Sequence, residues 1–291
     1  MPVLDGARAD AVEQAAQALL RGELVAMPTE TVYGLAARAD DDQAVAAIFS
    51  TKGRPADHPL IVHVAGRDSA SAFAAGLAPS AERLIAAYWP GPVTVIVRRA
   101  EGRATAAAGA LPTIALRCPS HPVARALLAR CAALGVGGVA APSANRFGGV
   151  SPTCAAHVVA EFGDALIVLD GGDCELGIES TIVDCSGLRP VLLRPGVLAR
   201  SALESALGES LEDPGALATP APGTLESHYA PRATLRLMGT QQLGQALAVL
   251  PASMTGLAVY SRSAPRRYRW VRTMPDDPRV IDSTGALALP D

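Results

Sequence analysis

Cations, hydroxyl groups and amides concentrate in four short segments whose flanks are apolar. The segments read PTETVYGL at residues 28–35, KGRPADHPLIVH at 52–63, APSAN at 141–145 and GIEST at 177–181. They lie between expected helices and strands, and loops at the ends of sheet strands are where α/β folds bind ligands. Side chains of these types bind phosphates and carboxylates, so the four segments are the candidate site.

The second segment places Lys52 and Arg54 on either side of a glycine at the end of an expected helix. An ammonium is a compact point charge and a guanidinium is a planar fork, and together they suit a polyphosphate. The alternative is a basic helix end that stops at Gly and Pro. Lys52 is the single lysine among 25 basic residues. If Lys52 is a cation at a loop end and not a core group, its replacement should barely change stability.

The other polar residues of these segments also have structural interpretations. His58 and His63 suit hydrogen bonding within a fold, and Ser143 and Asn145 suit a turn at the end of a strand. No third ligand stands at zinc-like spacing, which argues against a metal centre. The strings GxSxG and GxxxxGK[ST] are both absent, which argues against an acyl-enzyme hydrolase and a P-loop NTPase.

Composition favours a folded chain. The 291 residues are 49% hydrophobic and 18% charged, which excludes general disorder. Five cysteines without a CxxC pair indicate reduced thiols. No apolar run is long enough for a bilayer span, and no signal-peptide pattern opens the chain. We therefore expect a soluble, cytoplasmic protein without membrane contact.

The charge is distributed unevenly along the chain. The net charge is −3, but residues 233–291 carry seven arginines against four aspartates. Residues 260–272 contain five of those arginines together with Tyr268 and Trp270, and no acid. This stretch suits either a solvated strand face or a contact with RNA phosphates that includes base stacking.

Apolar periodicity predicts alternating helices and strands as far as residue 207. The predicted helices cover 10–22, 41–51, a segment ending at 88–89, 121–134, 151–163 and 201–207. The predicted strands cover 23–27, 60–64, 93–97, 113–116, 138–141, 166–169, 181–184 and 191–193. Asp10 with Glu13 suits a helix cap, as does Ser151 with Pro152. The alternation predicts an α/β fold with a twisted, mixed sheet.

The periodicity fails between residues 208 and 232, where Pro, Gly, Ala, Thr and Ser dominate and the string HYAP ends the segment. We therefore predict a first domain at 1–207 and an interdomain linker at 208–232. A small C-terminal α/β domain follows at 233–291. Its predicted elements are strands at 234–237 and 257–260 and a helix at 241–250.

Seven strings, in this order, resemble the YrdC/YciO superfamily: PTETVYGL, KGRPxxHPLIVH, YWPGPVT, ALRCP, APSAN, GIESTIV and LLRPG. The HYAP string resembles the long, two-domain threonylcarbamoyl-AMP synthases of that superfamily, here with a shortened C-terminal domain. The resemblance covers about residues 10–232 and implies a YrdC-like nucleotidyltransferase. Such an enzyme joins L-threonine, bicarbonate and ATP into threonylcarbamoyl-AMP and pyrophosphate, for modification of the adenosine next to the anticodon in tRNAs.

The resemblance, carried over residue by residue, implies three sets of site residues. The implied catalytic residues are Lys52, Arg54, Ser143 and Asn145. The implied ATP ligands are Lys52, Arg54, His58, Thr113, Ser143, Ser151, Arg194, His228 and Tyr229. The implied threonine and bicarbonate ligands are Thr31, Tyr33, His63, Arg117, Ala141, Ser180 and Thr181. Mg²⁺ is implied by ATP and not by a ligand motif.

The resemblance also implies a partner, the threonylcarbamoyl-transferase complex that uses the product, and tRNA contact is a further candidate interaction. The linker carrying His228 and Tyr229 is expected to fold over the nucleotide and exclude water. The main alternative is a non-catalytic module of the same fold that binds double-stranded RNA or tRNA. A carbamoyl-adenylate-forming domain of the hydrogenase-maturation kind is a weaker alternative, because its zinc-finger cysteines and acylphosphatase segment are missing.

Overall fold

The computed structural model describes residues 3–56, 58–215, 219–222, 236–249, 259–261 and 271–273. The chain divides into two compact units, Met1–Ala230 and Pro231–Asp291. None of the helices in the described part is both long enough and apolar enough to cross a membrane.

A single large sheet organises the described part of the first unit. Its strands are β1 (Val3–Asp5), β2 (Val25–Met27), β3 (Gly34–Arg38), β4 (Ile61–His63), β5 (Val93–Arg98), β6 (Thr113–Arg117), β7 (Val139–Ala140), β8 (Ile167–Asp170), β9 (Thr181–Asp184) and β10 (Val191–Arg194). They lie in the order β1-β8-β2-β3-β7-β4-β6-β5-β9-β10. Four neighbouring pairs are parallel, namely β1 with β8, β8 with β2, β4 with β6, and β5 with β9, and the others are antiparallel. This mixed α/β architecture is the predicted fold class.

Helices cover one face of the sheet and half of the other. They are α1 (Ala9–Leu20), α2 (Asp42–Lys52), α3 (Arg67–Ala70), α4 (Pro79–Tyr88), α5 (Pro122–Ala133), α6 (Ala155–Phe162) and α7 (Arg200–Leu207), with a 3₁₀ turn at Gly163–Ala165. Helices α2, α4, α6 and α7 bury their apolar residues in the largest core cluster. Helices α1 and α5 pack on the opposite face, over β1, β8, β2 and β3.

The remaining half of that second face has a different cover. Successive strand residues point to opposite faces, so Ile114 and Leu116 of β6 enter the main core while Ala115 points away from it. Ala115 belongs to a small apolar cluster with Ile61, Ile96, Ile182 and Leu193, and Ala221 packs onto this cluster. Ala221 lies well beyond α7, so part of the predicted linker covers this half of the sheet.

Some local predictions were wrong, and tertiary contacts explain why. No strand is predicted at β3, because its sequence GLAAR has weak strand propensity. In the structure it pairs with both β2 and β7. Asp10 does not cap α1, since Arg8 is the N-cap residue and Asp10 forms an ion pair with it. Ser151 does not open α6, which begins at Ala155 after Cys154.

The predicted linker also begins with residues that pack on the first unit. Leu211 is buried in the main core, and Glu212 pairs with Val191 through backbone hydrogen bonds. In the second unit, α8 (Thr240–Val249) matches the predicted helix, and β11 (Val259–Ser261) pairs in parallel with β12 (Val271–Thr273). Of the predicted strand at 234–237, Arg236 and Leu237 lie within the described residues and are not in a strand. The domain boundaries at 207 and 232 stay predictions.

Gly91 gives a test of how tightly the fold is packed beside β6. A Cβ at Gly91 would lie 2.3 Å from the backbone oxygen of Tyr88, which cannot rotate away. We expect Gly91→Ala to lower the free energy of unfolding by about 1–3 kcal/mol through overpacking. Urea denaturation measures this, with Gly215→Ala as control, because a Cβ at Gly215 meets no heavy atom within 4 Å. Equal losses in the two variants would contradict the expectation.

Candidate active site

A cavity opens at the edge of the half-face of the sheet that carries no helix. It encloses about 480 Å³ of empty space, with open solvent at its mouth included. Its lining residues come from all four candidate segments and from β6, β10 and the linker: Thr29, Thr31, Val32, Gly34, Arg54, Ile61, His63, Arg117, Ala141, Pro142, Ser143, Glu179, Arg194 and Pro222. The four polar segments picked out from the sequence therefore meet at one place.

The register of two parallel strands builds one wall of this cavity. Strand β4 pairs with β6 so that His63 stands beside Arg117 and Ile61 beside Ala115. Paired residues share a face of the sheet. Two polar residues thus project together at the strand ends, with the small apolar cluster next to them.

A buried ion pair fixes Arg117. Its Nη2 donates to Oε1 of Glu30 at 2.7 Å, its Nη1 to Oγ1 of Thr31 at 2.9 Å, and its Nε to the carbonyl of Gly91 at 3.3 Å. Glu30 also accepts from the backbone N–H of Ser120 at 3.1 Å. Both charged side chains are less than 5% exposed. A guanidinium has five N–H groups, so after these three bonds two remain for a ligand in the cavity.

His63 contributes a neutral imidazole to the cavity. Burial, together with the nearby positive charge of Arg117, lowers the pKa of His63 to about 3. Among the described residues, its Nδ1 has no hydrogen-bond partner. A neutral ring with a free nitrogen can exchange a hydrogen bond with a polar ligand, whereas such a low pKa makes it a weak base.

Lys52 is buried at the end of a helix and does not lie in a loop. It occupies the last turn of α2 and is 3% exposed. Its ammonium donates to the carbonyl oxygen of Ser143 at 2.5 Å and to that of Asn145. Burial, reinforced by the charge of Arg54, lowers the pKa of Lys52 to about 7. Lys52 is therefore not a loop-end cation, because it ties α2 to the 143–145 turn, and the condition under which its replacement would leave stability unchanged is not met.

Asn145 and Ser143 lie on the turn that Lys52 holds. The Asn145 amide donates to the carbonyls of Arg146 and Gly149 at 2.7 and 3.0 Å. Its buried Oδ1 has no partner within the described part of the chain. Ser143 lines the cavity, and its backbone bridges to Gly34. The turn thus offers an amide oxygen and a hydroxyl next to a buried cation.

A second polar network, around Arg194, also lines the cavity. Arg194 donates through Nε to the carbonyl of Ser180 at 3.0 Å, through Nη2 to Ser180 Oγ at 3.1 Å, and through Nη1 to the carbonyl of Pro222 at 2.8 Å. Glu179 lies 3.5 Å from Arg194 and accepts from Ser151 Oγ at 3.0 Å. Pro222 belongs to the predicted linker, so this network ties the linker to the cavity.

The predicted site residues fall into five groups by position, and the fifth consists of Tyr33 and Thr113. Those that line the cavity are Thr31, Arg54, His63, Arg117, Ala141, Ser143 and Arg194. Those bonded to a lining residue are Lys52, Ser151 and Ser180, and Asn145 is held by Lys52. Thr181, whose buried Oγ1 has no partner in the described residues, and His58, which contacts Phe147, lie near these groups. His228 and Tyr229 lie outside the described residues.

Tyr33 and Thr113 are placed away from the cavity. The Tyr33 hydroxyl donates to the carbonyl of Gly172 at 2.7 Å, and burial raises its pKa. This side chain supports the turn after β8 and does not line the cavity. Thr113 begins β6, so it stands at the opposite end of that strand from Arg117. Their predicted ligand roles gain no support from these positions.

Glu30 and Glu179 are important residues that the sequence analysis did not select. Both lie inside the segments 28–35 and 177–181, where an acid among apolar residues is a usable signal. A buried carboxylate needs a cation or several donors, and each of these two pairs with an arginine that the sequence analysis did select. Pro222 carries no such signal, since its role is to present a backbone carbonyl.

Comparison with known proteins places the chain in a family. Residues 17–196 match the Sua5/YciO/YrdC family model, described as "Telomere recombination". That match covers more than half of the chain. The chain belongs to the Sua5/YciO/YrdC family.

Two relatives with similar sequences carry the same name, threonylcarbamoyl-AMP synthase. The threonylcarbamoyl-AMP synthase of Pyrococcus abyssi is 42% identical over 225 residues, which are 75% of this chain and 65% of that protein. The threonylcarbamoyl-AMP synthase of Bacillus subtilis is 38% identical over 232 residues, 78% of this chain and 66% of that protein. The chain thus spans slightly less than two thirds of either relative.

A solved structure of this family is similar to the chain. The crystal structure of P. abyssi Sua5 complexed with L-threonine matches with a TM-score of 0.84 at 34% identity. The match covers 97% of this chain and 85% of that one.

The buried pair gives a stability prediction. Glu30→Gln leaves the Arg117 cation buried without its counter-charge, and such losses cost about 3–5 kcal/mol of unfolding free energy. The matched control is Glu13→Gln, which breaks a bidentate pair with Arg130 whose side chains are each 41% exposed. Water replaces that partner, so a much smaller loss is expected. Chemical denaturation of both variants measures the difference, and comparable losses would refute the structural role of Glu30.

The depressed pKa of Lys52 gives a pH prediction. An unfolded chain binds this proton up to a pKa near 10.4, whereas the folded chain releases it near 7. The unfolded state therefore holds more protons between these values, and folding stability attributable to Lys52 rises with pH across this window. Unfolding free energies of wild type and Lys52→Met at pH 6 to 10 should diverge in favour of wild type. Parallel curves would mean that the folded-state pKa of Lys52 is normal.

Proposed function

We propose that this chain is an L-threonylcarbamoyladenylate synthase. It would convert L-threonine, bicarbonate and ATP into threonylcarbamoyl-AMP and pyrophosphate. The observation that carries the proposal is the cavity itself, which Arg117, held by its ion pair with Glu30, lines together with Arg54 and Ser143. The names of the family relatives and the L-threonine in the P. abyssi structure support the same activity.

The wall formed by β4 and β6 suits threonine. The two remaining N–H groups of Arg117 match a carboxylate, which guanidinium binds in a bidentate manner. Thr31 and neutral His63 stand beside Arg117 and can hydrogen-bond to the amine, the hydroxyl or the carbamate of the substrate. The apolar walls from Ile61 and Ala141 suit the threonine methyl group.

Three other cationic side chains at the cavity suit the nucleotide. Arg54 and Arg194 line the cavity, with Lys52 held behind Ser143. Attack of a weakly nucleophilic carbamate on the α-phosphorus needs alignment and neutralisation of the charge that develops on pyrophosphate. Arginine donors fixed by the protein supply that stabilisation without reorganising during the reaction. In this proposal Lys52 positions the 143–145 turn beneath the phosphates.

Mg²⁺ fits as a companion of the triphosphate. No group of three or more His, Cys, Asp or Glu side chains in the described residues could hold a metal ion by itself. The unpartnered Oδ1 of Asn145 and the Ser143 hydroxyl are the hard oxygen donors that Mg²⁺ prefers, alongside phosphate oxygens. The ion, when bound, would offset phosphate charge.

The linker has a proposed role in retaining the product. Residues 219–222 already lie on the sheet face, where Thr219 donates to Asp184 and Pro222 accepts from Arg194. A cover over the cavity would exclude water from a labile mixed anhydride. His228 and Tyr229 follow six and seven residues after Pro222, which puts them within reach of the same cavity.

The proposed setting follows from the product. A threonylcarbamoyl-transferase complex would consume it in the cytoplasm, where ATP and tRNA are present. The basic stretch at 260–272 stays a candidate for tRNA contact, and most of it lies outside the described residues. The non-catalytic RNA-binding alternative gives no reason for a buried guanidinium aimed into a cavity.

The deciding experiment is product analysis. The purified chain is incubated with ATP, Mg²⁺, bicarbonate and L-threonine, and the mixture is analysed by mass spectrometry and for pyrophosphate. We expect threonylcarbamoyl-AMP, with pyrophosphate release that requires threonine. Arg117→Lys should raise the KM for threonine on the order of 10-fold or more, because an ammonium cannot reproduce the bidentate contact. Threonine-independent pyrophosphate release, or no release by the wild type, would refute the proposal.

A further inference from the structure

Phe147 stands where two candidate nucleotide ligands meet, and the proposed mechanism assigns it no role. The Cζ atom of Arg54 lies 5.8 Å from the centroid of the Phe147 ring. The His58 ring centroid lies 5.7 Å away, with the two planes tilted by 53°. The Phe147 side chain is half-buried.

The backbone of Phe147 is tied to the same segment. Its N–H donates to the carbonyl of Lys52 at 2.8 Å. In return, the Lys52 ammonium donates to the carbonyls of Ser143 and Asn145. The end of α2 and the turn at 143–147 are thus linked in both directions, which fixes the place of the Phe147 ring.

The segment that carries Arg54 has little regular structure to hold it. Helix α2 stops at Gly53, whose φ of 64° is left-handed, and β4 starts only at Ile61. The Arg54 Nη2 donates to the carbonyl of Pro59 at 3.1 Å, which fixes one end of the guanidinium. The ring of Phe147 also lies beside this group and can orient it, because a cation is attracted to an aromatic face.

We propose that Phe147 is a positioning residue for nucleotide binding, which holds Arg54 and His58 in place to receive the phosphates. The inference rests on the proposed function, since it takes Arg54 as a phosphate ligand. The rigid ring offers a π face to Arg54 and a tilted neighbouring ring to His58. An aliphatic side chain of similar size would fill the same space but would not orient the cation.

Two other roles for Phe147 predict different behaviour. A ring that only fills space would be replaced by Leu with a change in stability alone. A ring that stacks directly on the adenine base would matter for ATP but not for inorganic triphosphate, which has no base. Positioning of Arg54 requires that both ligands bind more weakly when the ring is lost.

The experiment compares Phe147→Leu, Phe147→Met and Phe147→Tyr by calorimetric titration with ATP·Mg and with inorganic triphosphate. Loss of the cation–π contact should weaken both ligands about 3- to 30-fold in the Leu and Met variants. Tyr keeps the aromatic face and should retain affinity. The KM for threonine should stay at the wild-type value in all three, since the proposed threonine ligands Arg117 and His63 lie on β6 and β4 and not on the turn at 143–147.

The chain provides a matched control in Phe162. The Arg146 Cζ lies 5.8 Å from the Phe162 ring centroid, the same separation as in the proposed pair, and neither residue lines the cavity. Phe162→Leu should lower stability without changing the affinity for either ligand. A double-mutant cycle adds Arg54→Ala, after which Phe147→Leu should weaken binding by less than it does in the wild type, because only its contact with His58 is then lost.

The outcomes separate the two levels of inference. A wild type that binds neither ligand and makes no product refutes the proposed function. A wild type that binds both, with Phe147→Leu and Phe147→Met binding equally well, refutes the positioning role alone. Weakened ATP binding with unchanged triphosphate binding also overturns it, in favour of base stacking. Melting temperatures identify a variant that fails to fold, and the Met and Tyr variants then decide the question.

Discussion

The buried ion pair between Glu30 and Arg117 is the interaction on which the site depends. Removing two charges from water is expensive, and the cost is offset only when each charge is paired and its remaining hydrogen-bonding groups are satisfied. Here the carboxylate receives Arg117 and the N–H of Ser120, while the guanidinium also bonds Thr31 and Gly91. Three separate stretches of chain must therefore arrive at one point.

That requirement explains why one half of a sheet face is left without helices. A guanidinium whose two spare N–H groups face a ligand needs an open approach, and a helix packed over β4 and β6 would block it. In the described residues the cover is instead Ala221 with its neighbours, a short run of backbone held by Arg194 and Asp184. Such a cover is tied by few contacts, so it can yield to a substrate more easily than a packed helix.

The cost of burying a charge is also offset at Lys52, but here by neutral acceptors and not by a counter-charge. Lys52 would be costly to bury alone, and two backbone carbonyls from the 143–145 turn accept its protons. The consequence is mechanical as well as electrostatic, because the end of α2 and the turn that carries Ser143 move as one piece. Arg54, Arg117 and Arg194 line the cavity, with Lys52 held behind Ser143, so its lining suits anionic groups.

Much of this protein could be predicted from the sequence by itself. Helical and strand periodicities located most elements to within a few residues, as for α2 and β9, because those signals arise from local burial patterns. The four polar segments were recognisable because charged and hydroxyl residues stood out against apolar flanks.

Only the tertiary structure decided the partners of these residues. Strand β3 was missed, since its alanine-rich sequence gains strand structure from neighbours on both sides rather than from propensity. The sequence could suggest that Lys52 and Arg117 are cations at a site, but not that one is held by carbonyl oxygens and the other by Glu30. Those contacts join residues separated by 86 to 93 positions, and such long-range pairings are set by the register of the sheet, which no local pattern encodes.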